Sequence, residues 1–233
     1  LIDPFWVSSP SQVFLYLYGI IADGSIFTHL AVTLYETFSG FLIGAIFGIG
    51  LGFALGRRET LAEVLDPYVV AFNGIPRIAL APLFIIWFGI GPTSKVILVV
   101  SVVFFLTFFN TFAGVKGVDA ELKNILRIMG ASERQILWKV TLPSIVPWIT
   151  TGLKISLPYA IVAAVVGEFI AAGKGLGYLI NYNTSLFSTT GALGGILVLA
   201  FVVVVCNEAI NRAESYLLRW RPREERKTEG ELY

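Results

Sequence analysis

Long apolar runs separated by short polar segments are the main feature of this chain's hydropathy pattern. A helix needs about 20 residues to cross a hydrocarbon core of roughly 30 Å. Runs near or above that length cover residues 30–55, 69–90, 96–115, 145–172 and 192–205. The alternation typical of a membrane β-barrel is missing, so helices are expected. The pattern predicts an all-α, polytopic membrane protein with five spans in this chain.

The positions of the basic residues predict the orientation of these spans. Arg57 and Arg58, the basic residues of segment 116–142 and those near the C-terminus follow alternate spans and fall on one side. Lys95 and Lys174 fall on the other side. Because cytoplasmic loops carry the excess of Lys and Arg, the C-terminus is predicted to be cytoplasmic.

This orientation divides the chain into three parts. Residues 1–29 are predicted to be an external segment, 30–218 a transmembrane domain with a cytoplasmic loop at 116–142, and 219–233 a charged cytoplasmic tail. The chain begins at Leu1, and its first residues lack the pattern of a secretory signal. An external N-terminus then needs a preceding span for insertion, so six spans are expected in the intact protein.

Composition narrows the function classes. Hydrophobic residues make up 56% of the chain and charged residues 14%, against about 25% charged in soluble domains. The net charge of +1 indicates no nucleic-acid partner, and the single cysteine, Cys206, excludes a disulfide framework within one chain. The chain also lacks a P-loop and a zinc-protease motif, and its single histidine, His29, is expected at the membrane surface. ATP hydrolysis by this chain alone is therefore not expected.

Glycine recurs every fourth residue in the first span, at Gly40, Gly44, Gly48, Gly52 and Gly56. Such a stripe lets another helix backbone approach closely in lipid, where apolar burial between helices contributes little. The favoured interpretation is tight packing within the chain. A contact between two copies, or a lining that would let a solute pass along the helix, is the alternative.

The second predicted span contains a break at Asn73-Gly74-Ile75-Pro76-Arg77. Pro76 has no N–H, and its ring opposes the carbonyl of Phe72, so the helix should kink or break there. Freed backbone at membrane depth is tolerated where it is buried in protein or lines a cavity. Asn73, Pro76 and Arg77 are therefore candidates for a pathway or gate, the alternative being that Arg77 is a structural cation paired with Glu36 or Glu168.

The fourth predicted span carries two charged residues, Lys154 and Glu168. Lys154 is close enough to the cytoplasmic end to extend its ammonium to the interface. Glu168, near the outer end, is a further pathway candidate, and it could instead pair with Lys174 in the following loop.

The polar segment 116–142 predicts two short helices at an angle. Asp119 can cap a helix with one apolar stripe, Gly130 ends it, and Ser132 can cap a second helix before Pro143 opens the next span. The stripe of the first helix comprises Leu122, Ile125, Leu126 and Met129, and the second helix contains Ile136, Leu137 and Val140. A docking element on the cytoplasmic face is favoured, with a helix lying in the lipid headgroups as the alternative.

This segment resembles the cytoplasmic loop of ABC importer permeases. The family pattern is Glu-Ala-Ala, three residues, Gly, nine residues, Ile, one residue, Leu-Pro. Gly130, Leu142 and Pro143 match it, and Val140 stands for the Ile. The departure is at 124–126, where Asn-Ile-Leu replaces Glu-Ala-Ala, which removes any ionic contact of that Glu but keeps the helix-Gly-helix arrangement.

Residues 9–11, 73–91, 114–121 and 167–180 are similar to the nitrate/sulfonate/taurine branch of these permeases. The resemblance implies the type I ABC importer transmembrane fold. It also implies a permease subunit in the bacterial plasma (inner) membrane. This subunit would form the pathway for a small solute, such as a sulfonate, taurine or nitrate. A gradient-driven transporter or channel, with Arg77, Lys154 and Glu168 as intramembrane ligands, is the alternative.

The resemblance also implies the partners. A pair of ATPase subunits would bind the ATP and Mg²⁺, so no cofactor is expected in this chain. An external binding protein would deliver the solute. A second permease copy would complete a homodimer. The residues expected to couple to the ATPase are Glu121, Asn124, Ile125, Arg127, Met129, Gly130, Ala131, Ser132, Leu142 and Pro143.

Overall fold

A computed structural model describes residues 8–219, in which all regular structure is helical. Within this part, four helices are long and apolar enough to cross a membrane: α2 (Ser25–Gly56), α5 (Pro92–Lys116), α7 (Glu133–Ile170) and α9 (Thr189–Leu217). The shorter elements are α1 (Pro10–Ala22), α3 (Glu59–Asn73), a 3₁₀ turn (Arg77–Leu80), α4 (Ala81–Phe88), α6 (Ala120–Ile128) and α8 (Leu176–Ser185). The predicted all-α, polytopic fold is confirmed; residues 1–7 of the predicted external segment and 220–233 of the tail lie outside the described residues.

The predicted span at 69–90 is not one continuous helix. α3 ends at Asn73, residues 74–76 form no helix, and the 3₁₀ turn and α4 follow. The chain therefore has four long helices in the described residues and two short segments where a fifth span was expected. The physical reason is Pro76, which cannot donate to the carbonyl of Phe72 and so interrupts the helix at the position that the sequence indicates.

The glycines of α2 lie against α5. A Cβ on Gly44 would lie 2.9 Å from Cβ of Val103, and a Cβ on Gly52 would lie 2.7 Å from the carbonyl oxygen of Phe108. On Gly48, an added Cβ would collide with Thr107. The stripe thus brings the α2 and α5 backbones into direct contact within one chain, while larger apolar side chains of α2, such as Phe47, stay exposed on the outer surface of the bundle.

Two clusters of buried apolar side chains hold the long helices together. One joins α5 to α7 through residues such as Leu98, Val103 and Ala160. The other joins α7 to α8 and α9, with Ile161, Leu176 and Val202 among its members. α7 belongs to both clusters and is the central helix of the bundle.

The second short helix predicted after Gly130 is not separate from the next span, and this prediction is corrected. α7 begins at Glu133, passes through a π-helical turn at Leu137–Thr141 and continues to Ile170. The turn widens the helix just before Pro143, which then occupies the start of the following α-helical stretch. A proline is tolerated at such a position because its missing N–H is not needed there.

Candidate functional site

The N-terminus of α6 is capped as predicted. Oδ1 of Asp119 accepts hydrogen bonds from the backbone N–H groups of Glu121 at 2.8 Å and Leu122 at 3.3 Å. These N–H groups have no partner inside the helix, so the carboxylate satisfies them and also interacts favourably with the helix dipole.

The C-terminus of α6 ends in a glycine turn. Gly130 adopts φ +84°, and its N–H donates to the carbonyl of Arg127 at 3.0 Å while that of Ala131 donates to the carbonyl of Leu126 at 2.9 Å. This pair of bonds is the Schellman motif, in which glycine is favoured because the left-handed conformation penalises a Cβ. No atom lies within 4 Å of a Cβ built at Gly130, so backbone conformation, and not lack of space, selects the residue.

Ser132 caps the start of α7 with a reciprocal partner. Its Oγ accepts from the N–H of Gln135 at 3.3 Å, and Oε1 of Gln135 accepts from the N–H of Ser132 at 2.8 Å. This capping box fixes where α7 begins. The prediction that Ser132 caps a helix is confirmed, and the role of Gln135 was missed although its spacing of three residues carried the signal.

An apolar ridge on α6 faces away from the protein. Ile128 is 87% exposed and Met129 76% exposed, and Ile125 beside them is also exposed. A soluble surface rarely leaves such large side chains together in contact with water unless a partner covers them. Of the other predicted coupling residues, Glu121 and Asn124 are exposed on α6, and Leu142 and Pro143 are half-buried at the start of the long helix.

A cavity of about 230 Å³ lies beside α6. Side chains of both charges line it, from the ends of α2 and α5, from α3, and from the α6–α7 region. The charged lining residues are Arg57, Glu63, Lys116, Lys123, Arg127 and Glu133. α6 therefore combines an exposed apolar surface with an adjacent charged recess.

Arg77 lies on aromatic side chains of α5. Its guanidinium carbon is 4.2 Å from the centre of the Phe105 ring and 5.8 Å from that of Phe109, and Nη2 donates to the carbonyl of Phe72 at 2.7 Å. Pro76 cannot supply the usual helical donor for that carbonyl, which accepts from the N–H of Ile75 at 3.4 Å, and Arg77 adds a second hydrogen bond at the break. The alternative that Arg77 pairs with Glu36 or Glu168 is wrong.

The two other intramembrane candidates also have defined partners. Nζ of Lys154 lies 3.2 Å from Oε2 of Glu214 on α9. Glu168 is buried and accepts from Oγ1 of Thr33 and from the N–H of Gly177, each at 2.6 Å. These partners, and not Lys174, satisfy its carboxylate.

Further polar groups were missed by the sequence analysis because they surround Glu168 from other helices. Lys95, assigned to an outer loop, is buried in the first turn of α5. His29 accepts a hydrogen bond on Nδ1 from the N–H of Gly175 and stacks on Tyr178, so it is more than a surface residue. The spacing of His29, Thr33 and Glu36 on one face of α2 was the available signal.

The predicted site residues therefore fall in separate places. The coupling residues from Glu121 to Ser132 lie on α6 and the Gly130 turn, whereas Leu142 and Pro143 lie further along α7, after its π-helical turn. Arg77 and Glu168 do not meet, since their neighbours on α5, Phe105 and Lys95, lie ten residues or roughly 15 Å apart along that helix. Asn73 ends α3, its side chain lies outside the described part of the structure, and Pro76 is exposed before the 3₁₀ turn.

A bundle of long apolar helices with buried ionisable groups and a broken helix is typical of a multi-span membrane transport protein. Residues 40–220 match the family described as "Binding-protein-dependent transport system inner membrane component", and the chain belongs to this family. It is thus the permease subunit of an ABC importer.

Relatives of similar length support this assignment. The taurine transport system permease protein TauC of Escherichia coli (strain K12) is 33% identical over 94% of this chain and 82% of its own length. The formylaminopyrimidine transport permease protein ThiX of Halalkalibacterium halodurans is 33% identical over 95% of this chain and 88% of its own. The resemblance to the nitrate/sulfonate/taurine branch is confirmed.

The fold is also that of a solved transporter. A chain of the MetNI methionine ABC transporter in an inward-facing conformation superposes with a TM-score of 0.62, covering 90% of this chain and 99% of that chain at 22% identity. The predicted type I ABC importer fold is thereby confirmed.

Proposed function

We propose that this permease is driven by two separate ATPase subunits that dock on α6 and on the turn at Gly130. The observation that carries this proposal is the apolar ridge of Ile125, Ile128 and Met129, which no other part of residues 8–219 covers. The ATPase subunits would bind ATP and Mg²⁺, and the charged recess beside α6 would receive polar side chains at the edge of the docked surface.

The docking surface is assigned to the cytoplasm. The ridge lies at the end of the bundle where α2 ends beside Arg57 and α5 ends at Lys116, and this basic side is the cytoplasmic one by the charge rule. The C-terminus then lies in the cytoplasm, and the opposite end receives a substrate-binding protein. A second copy of the chain completes a homodimer around the pathway.

α7 provides the mechanical connection between the two ends. It begins at the docking turn and runs for 38 residues, roughly 57 Å, to the outer side at Ile170. Movement of α6 is transmitted to α7 through the short Gly130 turn. Closure of the ATPase pair would therefore tilt α7 and change which end of the pathway is open, as in alternating access.

The solute proposed for this pathway is a small organic or inorganic anion, such as a sulfonate, taurine or nitrate. Arg77 at the break in the membrane supplies a cation whose partners in the described residues are aromatic rings and a backbone carbonyl, whereas Lys154 pairs with the carboxylate of Glu214. The names of relatives cover both taurine and a formylaminopyrimidine, so the branch includes more than one solute class.

Co-purification with the ATPase subunits of the importer tests the docking surface. Ile128→Glu places a charge in the centre of the ridge, and we expect it to reduce association by about tenfold or more. Two control variants should bind the ATPase subunits normally. One is Ile128→Leu, and the other is Leu217→Glu, at an exposed apolar position on α9. Unchanged association of Ile128→Glu would contradict docking and favour a helix lying in the lipid headgroups.

A further inference from the structure

Three consecutive backbone N–H groups at the start of α8 are bound by side chains from other helices. The N–H of Gly175 donates to Nδ1 of His29 at 3.1 Å, and that of Leu176 donates to Oγ1 of Thr33 at 2.8 Å. The N–H of Gly177 donates to Oε2 of Glu168 at 2.6 Å. The first N–H groups of a helix have no internal partner, and here α2 and α7 supply the caps.

The chain around Glu168 is shaped to fit its carboxylate. Gly175 adopts φ +116°, and a Cβ there would collide with the carboxylate group. A Cβ on Gly177 would lie 2.8 Å from Oε2 of Glu168. Glycine at both positions lets the backbone approach the carboxylate closely enough to donate to it.

A second carboxyl group and an ammonium group are buried beside Glu168. Glu36, Lys95 and Glu168 are 3%, 2% and 1% exposed. Nζ of Lys95 donates to the carbonyls of Ile90 and Gly91, which precede α5. Oε2 of Glu36 is buried without a hydrogen-bond partner in the described residues, although the Glu36 side chain neighbours that of Glu168.

A proton on Glu36 accounts for this arrangement. One ammonium group can neutralise only one of two adjacent carboxylates, and two ionised carboxylates repel each other in a buried site. A protonated carboxyl group can donate a hydrogen bond, whereas an ionised one can only accept. Glu168 already accepts from Thr33 and Gly177, whereas Oε2 of Glu36 accepts from no group in the described part of the chain, so Glu36 is the carboxyl group placed to hold the proton and able to donate to Glu168. The other ionisable groups facing the cluster are His29 and, from the adjoining loop, Lys174.

We propose that Glu168 is a positioning residue of the transport cycle and that neutral Glu36 is its hydrogen-bond donor. With His29 and Thr33, Glu168 fastens the start of α8 to α2 and α7, and the side chain of Lys95 on α5 packs against Gly167 beside it. The outer ends of these helices then move as one body when the importer opens. The movement of these helix ends as one body rests on the proposed function, whereas the hydrogen-bond assignment concerns the permease alone.

Hydrogen exchange of the purified permease tests the assignment without any partner. Glu168→Gln leaves one acceptor oxygen in place of two, so the N–H groups of residues 175–177 should exchange about tenfold faster or more. Glu36→Gln replaces one donor by another and should leave exchange near that of the wild type. Lys174→Gln, in the same loop, is the matched control for a change of charge alone. Equal exchange in the two glutamate variants, or normal exchange in Glu168→Gln, would overturn the proposal.

Infrared spectroscopy tests the proton directly. The folded wild type should show the band of a protonated, hydrogen-bonded carboxyl group, and Glu36→Gln should remove it. If that band is absent from the wild type, or persists in Glu36→Gln, the role assigned to Glu36 is wrong. This readout decides the question even if Glu168→Gln fails to fold.

Distances in the assembled importer test the rigid outer unit. Spin labels at Thr28→Cys on α2 and Thr184→Cys on α8 occupy exposed positions, in a background in which buried Cys206 is replaced by Ser. In the wild type, the distance between the two labels should be the same in the resting complex and in one trapped with ATP and vanadate. In Glu168→Gln, this distance should differ between the two states. A wild-type separation that changes on trapping would refute the rigid unit. Failure of the wild type to bind ATPase subunits would refute the proposed function and leave the exchange result standing.

Discussion

Arg127 and Glu133 are joined across the glycine turn between α6 and α7. Nε of Arg127 lies 2.7 Å from Oε1 of Glu133, and Nη2 lies 3.4 Å from Oε2. Nη1 of the same guanidinium donates to Oδ1 of Asn124 within α6 at 3.2 Å. A single side chain therefore connects the last turn of α6 to the first turn of the long central helix α7.

The first prediction concerns this ion pair. Both side chains are exposed, so Arg127→Glu and Glu133→Arg should each change the free energy of unfolding by less than about 1 kcal/mol. Each should nevertheless weaken coupling, measured as ATP hydrolysis stimulated by the binding protein in the reconstituted importer. The double exchange restores opposite charges and should recover coupling. If the double variant is no better than the single ones, the pair does not set the geometry of the turn.

The second prediction concerns the conformation of Gly130. A residue with a Cβ at φ +84° costs about 1–2 kcal/mol, most for a β-branched side chain and least for asparagine. Gly130→Val should therefore loosen the end of α6, seen as faster hydrogen exchange over residues 120–131, and reduce co-purification with the ATPase. Gly130→Asn is the matched control and should retain both. Equal binding by the two variants would show that the left-handed turn is not required.

The local features of the docking segment were predictable, since capping depends on side chains close to the backbone groups that they bind. Asp119, Gly130 and Ser132 could be assigned from spacing alone, and the structure confirms each as a cap or turn residue. The continuity of α7 was not predictable in the same way. Pro143 usually indicates a helix start, and here the π-helical turn absorbs the change within one helix.

The polar cluster around Glu168 could not be predicted because its members come from helices far apart in sequence. The pattern of α2 places Thr33 and Glu36 on one face, but periodicity does not identify the helix that this face meets. Lys95 follows the Pro92 helix start, and its position near a loop favoured a surface assignment. Only the packing of α5 against α2 and α7 brings it beside Glu168.

The third prediction separates the structural and pathway roles of Arg77. The Arg77 guanidinium lies over the Phe105 ring and donates to the Phe72 carbonyl at the same time. Neither lysine nor glutamine reproduces both contacts, so Arg77→Lys and Arg77→Gln should each destabilise the permease by about 1–2 kcal/mol. Only Arg77→Gln removes the charge, and only it should reduce uptake of radiolabelled taurine or nitrate in proteoliposomes containing the complete importer. Equal uptake by both variants, after correction for folded protein, would exclude an attraction between this cation and the solute.

The fourth prediction uses two glycines of α2 that differ in surroundings. A Cβ at Gly48 collides with Thr107 on α5, whereas nothing lies within 4 Å of a Cβ at Gly50. Gly48→Ala should force the helices apart and cost about 1–3 kcal/mol. Gly50→Ala should be neutral or stabilising by about 0.5–1 kcal/mol, because alanine is the better helix former.

The single cysteine provides the measurement for this comparison. Cys206 is buried, so a thiol-reactive fluorescent dye labels it only as the permease unfolds, and the melting temperatures of the two variants can be compared in detergent. A lower melting temperature for Gly48→Ala than for Gly50→Ala is expected at all protein concentrations. The difference in melting temperature could instead disappear when the protein is diluted to monomers. The glycine stripe would then mediate contact between two copies of the chain, and the packing of α2 against α5 would not be the reason for glycine at Gly48.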